Sequence, residues 1–344
     1  MAKTISDIAK EAGVSISTVS RVMNNTKAVS DELKEKVYKV IEKNNYTPNI
    51  HAQSLTTKKT DIIGVVIPDI SNSVFGAITK GINSICSKEG YTLMVCESGG
   101  EQEREIKLLN ALEEKQIDGV IFSGVYVDEK MIDIMQKKDY PVVLVQQEAN
   151  MKNTPLDTVT CENVQAIYDV VKSYYEMGHK RIAYLGGPEY DYSSGQLRLS
   201  GYKNAMDELG LDIPDSYIQQ VEFSFNGGYE GMRKIYEESK ELPTAVVAGG
   251  DVIAVGAIQF LNDNGIGVPE KISVIGFDDL EFSTYMSPKL STVRIPYFEE
   301  GEKAAGILFD RIKNSNQGIN GGNGYEVYYA EHKIIRRGTV KSLK

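Results

Sequence analysis

The stretch TISDIAKEAGVSISTVSRVMNN, residues 4–25 of a 344-residue chain, decides how the front of the molecule folds. Ile5, Ile8, Ala9 and Ala12 recur at helical spacing and make one apolar stripe. Thr4 stands before them with Asp7 three residues on, the pattern of a capping box. Gly13 supplies the positive φ at which a helix ends. Ser15 can then cap a second helix in which Val19, Val22 and Met23 share a face. Outward from this, a third helix from Ser30 sets Leu33, Val37, Val40 and Ile41 on one side. Two short helices joined by a glycine turn and braced by a third read as a helix-turn-helix. Its second helix leaves Ile16, Ser17, Thr18, Ser20, Arg21 and Asn24 facing out. In a DNA major groove, Arg21 can pair with guanine O6 and N7, Ile16 can pack on a thymine methyl, and Ser17 can donate or accept. Thr18, Ser20 and Asn24 suit phosphate oxygens, and Thr4 and Ser15 at the helix starts complete the candidate DNA contacts.

Charge supports that reading. Residues 1–60 hold ten Lys and Arg against six Asp and Glu, while the rest of a chain of net charge −10 is strongly acidic. A basic head on an acidic body suits a module that meets an anionic polymer while the body does something else. The opening residues lack the apolar run of a secretory signal, and no 18-residue apolar stretch occurs, so export and membrane spanning are not expected and a cytoplasmic location is. Cys86, Cys96 and Cys161 are odd in number and widely spaced, as buried free thiols would be. With His51, His179 and His332 they make no zinc spacing, and neither metal nor cofactor is expected.

After the third helix comes NYTPNIHAQSLTTKKTD. Pro48 interrupts the helical pattern, and Asn49 can cap the short segment IHAQSL. A helix of about six residues is not stable alone in water, so a partner must order it.

From Asp61 onward, apolar runs (IIGVVI, YTLMVC, GVIF, VVLV, RIAYLG, TAVVAG, ISVIGF) alternate with amphipathic stretches. Continuous apolar strands separated by helices predict parallel sheets covered on both faces. The pattern occurs twice, over roughly 61–160 and 161–290, and the chain from about 291 can cross back to complete each half. No GxGxxG follows a strand, no phosphate loop of the Walker type is present, and no Ser/His/Asp arrangement sits on a strained elbow. An enzyme reading therefore lacks a chemical engine.

The residues 4–25 quoted above, followed by VSDELKEKVYKVIEKNNYTPNIHAQSL, resemble the DNA-binding head of the lactose-repressor (LacI/GalR) family of bacterial transcription regulators without a gap through residue 60, and the likeness continues through the body. The resemblance implies a head at 1–47, a hinge helix and linker at 48–60, and a periplasmic-binding-protein-like body at 61–344. The body would comprise one subdomain of about 61–160 plus 291–322 and another of about 161–290 plus 323–344. Hinge helices from two subunits would enter the minor groove together, Leu55 wedging into the central base step and Ala52 letting the pair approach, with Asn49 and His51 beside them. Gln53 stands where many members carry Arg.

The same resemblance places an effector between the two halves of the body, at the carboxyl ends of the strands. It assigns Phe75 and Phe223 as aromatic walls and Ser123 as a polar wall. Gln146 stands where sugar-binding relatives often carry an acid. Tyr192, Ser194 and Arg198 fall around the mouth of the second half, Asp251 at a helix start, and Asp278 at the family's effector-binding aspartate. Tyr126 and Tyr190, with Tyr192, are candidates for the rim, and His179 is read as structural. Two aromatic faces with an Arg and an Asp suit a sugar or a nucleobase. The glycine- and asparagine-rich 314–326 is expected to be a surface crossover, and the short tail RRGTVKSLK leaves a homodimer, with no tetramerising heptad.

The reading is a dimeric repressor of transcription whose affinity for near-palindromic operator DNA is set by a small effector, most simply a carbohydrate. Its alternatives are control by a protein partner, as in catabolite-control relatives, and a soluble sugar-binding protein. Gly306 stands where the catabolite-control relatives present an arginine.

Overall fold

The computed structural model describes residues 3–24, 29–44, 46, 59–149, 154–316 and 324–344. It divides into two units, Met1–Thr60 and Asp61–Lys344. Asn49, His51, Ala52 and Leu55, expected in the minor groove, lie outside the described residues.

Among its described residues the first unit holds three helices, α1 (Ile5–Ala12), α2 (Ile16–Asn24) and α3 (Asp31–Lys43). Thr4 and Asp7 form the reciprocal capping box at the start of α1. Gly13 takes φ 61° and ψ 37°, and its N–H closes the helix on Ala9 and Lys10. Ile8, Ala9, Ala12, Val19, Val22 and Val37 form the small core. The third helix is tied to the first through Lys43 and Asn44 on Glu11, at 2.8 and 3.1 Å, and to the second through the Tyr38 hydroxyl on the Val22 carbonyl, at 3.2 Å.

The second unit contains two sheets with helices on their faces. In chain order the first half holds β1 (Ile62–Ile67), α4 (Ser73–Glu89), β2 (Thr92–Glu97), α5 (Gln102–Glu114), β3 (Gly119–Phe122), α6 (Glu129–Gln136), β4 (Val142–Val145) and β5 (Asp157–Cys161). The second half holds α7 (Asn163–Glu176), β6 (Ile182–Gly186), α8 (Arg198–Glu208), β7 (Ile218–Gln220), α9 (Phe225–Glu238), β8 (Ala245–Ala248), α10 (Asp251–Asp263), β9 (Ser273–Asp278) and β10 (Ser291–Arg294). The chain then returns through α11 (Tyr297–Asn316), β11 (Val327–Ala330) and β12 (Lys333–Ile335).

The first sheet runs β11-β5-β4-β3-β1-β2 and the second β12-β10-β9-β8-β6-β7. All pairings are parallel except β10 with β12. Strands such as β3, β4 and β8 are buried at every residue, as expected where helices cover both faces.

The subdomain boundaries differ from those expected. Strand β10 pairs with β9 in register Ser291 to Ile275, so the return to the first half falls after Arg294 and not at 291. Strand β11 pairs with β5, so residues 327–330 belong to the first sheet and only β12 crosses to the second. Each of these strands is too short for its own pattern to announce its neighbour, and pairing across the sheet decides. The segment read as a loop from 314 begins inside α11, which runs to Asn316. Among the described residues no helix is long and apolar enough to cross a membrane, and no cluster of ligating side chains could hold a metal ion.

Candidate functional site

In the head, Ile16, Ser17, Thr18, Ser20 and Arg21 of α2 lie as the spacing predicts, and the Asn24 side chain falls outside the described ones. Ile16 is half exposed, and Ser17 and Arg21 are exposed beside it. Ser15 caps the helix by accepting from the Thr18 N–H at 3.1 Å, and its hydroxyl lies 2.8 Å from those of Ser17 and Thr18. This hydroxyl cluster pre-positions short polar groups at the helix N-terminus, where N–H groups and the helix dipole favour phosphate. Thr4 is committed to Asp7, so what it offers outward is the start of α1 and not a free hydroxyl. An isoleucine exposed beside an arginine on a short helix is poor design for water alone and good design for a groove.

In the body, a cavity of about 630 Å³ opens between the two sheets at the carboxyl ends of their strands. Of the expected effector residues it brings together Phe75, Ser123, Gln146, Ser194, Arg198, Phe223 and Asp278. Phe75 sits in the first turn of α4, which Asn72 caps by accepting from the Val74 N–H at 3.0 Å. Phe223 follows β7, and its ring lies against bare backbone: a Cβ on Gly187 would fall 2.4 Å from it. Tyr190, a candidate for the rim, is there, its hydroxyl donating to Glu222 at 2.7 Å.

Arg198 is 3% exposed. Its Nε donates to Asn163 Oδ1 at 2.8 Å and its Nη1 to the Gly249 carbonyl at 2.7 Å. The guanidinium lies 3.7 Å from the Phe277 ring centroid, a desolvated cation–π contact. Asp278 ends β9 at φ 113°, accepts from the Tyr297 hydroxyl at 2.5 Å, and feels the Arg198 charge. Burial raises its carboxyl above the usual range, while Arg198 and Tyr297 pull it back.

Two expected residues are not in the cavity wall. Asp251 is fully buried and accepts from the Leu280 N–H at 2.8 Å and from the hydroxyls of Ser283 and Thr292 at 2.6 Å each. Burial first, and then the charge of Asp278, raise its carboxyl. It organises the turn after Asp278 instead of meeting a ligand. Tyr192 opens a π-helical turn, Tyr192–Leu197, and its ring packs edge-on to Tyr126 with centroids 6.4 Å apart. Ser194, within that turn, and Arg198, just after it, reach the wall, while Tyr192 does not. Tyr126 is likewise absent from the wall. His179 is buried between Thr244 Oγ1 and the Lys341 carbonyl, both at 3.0 Å, which is a structural role.

Sequence reasoning missed Asp69, Asn72, Glu97, Glu101, Glu222 and Tyr297 in the wall. Tyr297 carried no local signal because it enters from α11, after the chain has returned to the first half. The acids at the ends of β1 and β2 were legible as strand-end polar residues and could have been found by that rule. A wider depression of about 910 Å³ lies on the other side of the first turn of α11, beside the exposed Tyr285 and Phe298. Phe75, Phe223 and Arg198 are not part of it, so the cleft between the sheets is the better ligand site.

Residues 4–49 match the model of bacterial regulatory proteins of the lacI family, and residues 171–338 match the periplasmic binding protein-like domain. The chain is 37% identical over 305 residues to catabolite control protein A of Priestia megaterium, covering 89% of this chain and 91% of that one. It is 36% identical over 313 residues to the ribose operon repressor of Escherichia coli strain K12, covering 90% and 93%. A lac repressor dimer bound to operator and the anti-inducer ONPF superposes with a TM-score of 0.85 at 26% identity, over 99% of this chain and 100% of that one. These relatives are regulators and repressors, not enzymes. A capped helix-turn-helix, two parallel sheets around a polar and aromatic cleft, and likeness along nearly the whole length lead to one conclusion: the chain belongs to the lacI family of bacterial regulatory proteins.

Proposed function

We propose that the protein is a cytoplasmic, homodimeric repressor whose affinity for a near-palindromic operator is set by a carbohydrate effector in the cleft of the body. Residues 1–47 read the operator, Ile16, Ser17 and Arg21 meeting base edges while Ser15, Thr18, Ser20 and Asn24 hold phosphates. Residues 48–60 act as the hinge, with Asn49, His51, Ala52 and Leu55 in the minor groove. The single observation that carries the effector reading is the pairing of Phe75 and Phe223 with Arg198 and Asp278 around one cavity. Rings stack on the apolar C–H faces of a sugar, and charged groups grip vicinal hydroxyls. Resemblance to a ribose operon repressor supports the same class.

The dimer is supported by apolar exposure on the body at Ile70 (64%), Tyr285 (80%) and Phe298 (41%), which two copies could bury. Closure of the cleft on its ligand would change the angle between the halves and so favour one DNA-binding state, by an amount equal to the ligand's differential affinity. Resemblance to a catabolite control protein favours a second reading, in which a protein partner sets the affinity. A melting screen of the purified protein against free sugars, followed by operator gel shifts with any sugar that stabilises it, separates the two. A stabilising sugar that also moves operator affinity supports the effector reading; stabilisation by a partner protein and by no small molecule overturns it.

A further inference from the structure

Two acceptors in the cleft wall are held by the same helical turn. Gln146 follows β4 at φ 52° and Asp278 ends β9 at φ 113°, and neither is a glycine. Backbones of this kind persist where their surroundings over-determine them. The first turn of α11 supplies part of that hold. Its Tyr297 donates to Asp278 Oδ1, and its Glu300 accepts from Gln146 Nε2.

Glu300 is a costly residue to bury. It is fully buried, its Oε1 has no hydrogen-bond partner among the described residues, and burial pushes its carboxyl up to about 8. An aliphatic side chain would fill the space without that penalty. What the carboxyl adds is a fixed acceptor for the amide nitrogen of Gln146. With the nitrogen engaged by Glu300, the carbonyl oxygen is what this cavity-lining side chain has left to accept with.

The charge of the wall points the same way. Asp69, Glu97, Glu101 and Glu222 line the cavity with Asp278, and Arg198 is the one cation among the described lining residues. Two of its nitrogens already donate to Asn163 and Gly249. A phosphate or carboxylate brought here would meet several like charges and one partly committed donor. An uncharged polyol would instead donate its hydroxyls into Gln146 and Asp278.

We infer that the cleft takes a free, uncharged sugar in preference to its phosphate or acid, and that Glu300 is the positioning residue that fixes Gln146 as an acceptor toward it. This rests on the carbohydrate reading above. The test is calorimetric titration of the full-length protein with free aldopentoses and aldohexoses and with the terminal phosphates and aldonic acids of the same sugars. At least one free sugar should bind, with its phosphate and acid weaker by about 100-fold or more. Glu300→Ala should weaken that sugar by about tenfold, and Glu300→Gln, whose carboxamide oxygen still accepts, should restore most of the loss.

The monodeoxy analogue against which Gln146→Leu costs nothing identifies the hydroxyl that Gln146 reads. Against that analogue the Glu300→Ala loss should vanish, whereas a merely structural Glu300 would weaken every analogue alike. Equal binding of sugar and phosphate, or a uniform loss in Glu300→Ala, overturns the inference and leaves the carbohydrate reading standing. Binding of no sugar, free or charged, removes both.

Discussion

Asp251 and Asp278 are both acidic residues beside the cleft, yet the structure gives them opposite work, and substitution separates them. Asp251→Ala removes the acceptor for three buried donors, the Leu280 N–H and the hydroxyls of Ser283 and Thr292. An unsatisfied buried donor costs about 1–3 kcal/mol. The three losses do not add in full, because water can enter and because removing one carboxyl relieves its repulsion with Asp278. With those offsets, loss of the acceptor for these neutral donors is expected to cost about 3 kcal/mol. For a body spanning Asp61–Lys344 each kcal/mol lowers the melting temperature by somewhat under about 2 °C, so a fall of roughly 5 °C is expected. Asp278→Ala leaves the Tyr297 hydroxyl and the Arg198 charge short of one carboxylate but relieves the repulsion with Asp251, so it should show a smaller fall than Asp251→Ala. Its ligand response should disappear. Thermal melting of both variants, with and without a stabilising sugar, is the assay. If Asp251→Ala melted like the parent but lost the sugar response, Asp251 would be a ligand contact and the present assignment would be wrong.

Further outcomes follow from the same contacts. Arg21→Ala should cost about 1–3 kcal/mol of specific operator binding, seen by gel shift, and leave the sugar melting shift intact. Gly187→Ala puts a methyl 2.4 Å from the Phe223 ring, so sugar affinity should fall by about tenfold as the ring is displaced, measured by calorimetry. Ser15→Ala should destabilise the head by about 1 kcal/mol, read by the helical signal of an isolated residue 1–60 fragment against that of the parent fragment. Glu105 is buried with one oxygen unpartnered, and burial pushes its carboxyl up to about 7 from an ordinary 4.5. The folded chain holds a proton there that the unfolded chain releases, so this contribution is full below pH 4.5 and is lost as pH rises through about 7. Glu105→Gln should therefore flatten denaturant stability across that window, and an unchanged slope would show that Glu105 does not carry it.

Much of this was legible locally. Thr4 with Asp7, Gly13 and Ser15 act within a few residues, so their roles follow from spacing, and they appear where expected. The buried strands announce themselves by continuous apolar runs. What escaped depends on distant chain. Asp251 looks like a helix start in AGGDVIAVG, and nothing nearby shows that its three donors come from residues 280–292. Tyr192 shares a motif with Ser194 and Arg198, but its ring packs against Tyr126, a residue distant in the chain, and stays out of the wall. Tyr297 and Glu300 enter the site from a helix that follows the return crossing, and four-residue strands such as STVR and VYYA are placed only by their partners.

The most direct measurement is selection of bound duplexes from a random pool by the full-length protein, followed by anisotropy titration of the winning sequence with and without a sugar that stabilises the body. An inverted repeat whose affinity shifts in the wild type but not in Asp278→Ala is the expected result. Enrichment of no sequence, or an affinity indifferent to a saturating sugar, would contradict the account.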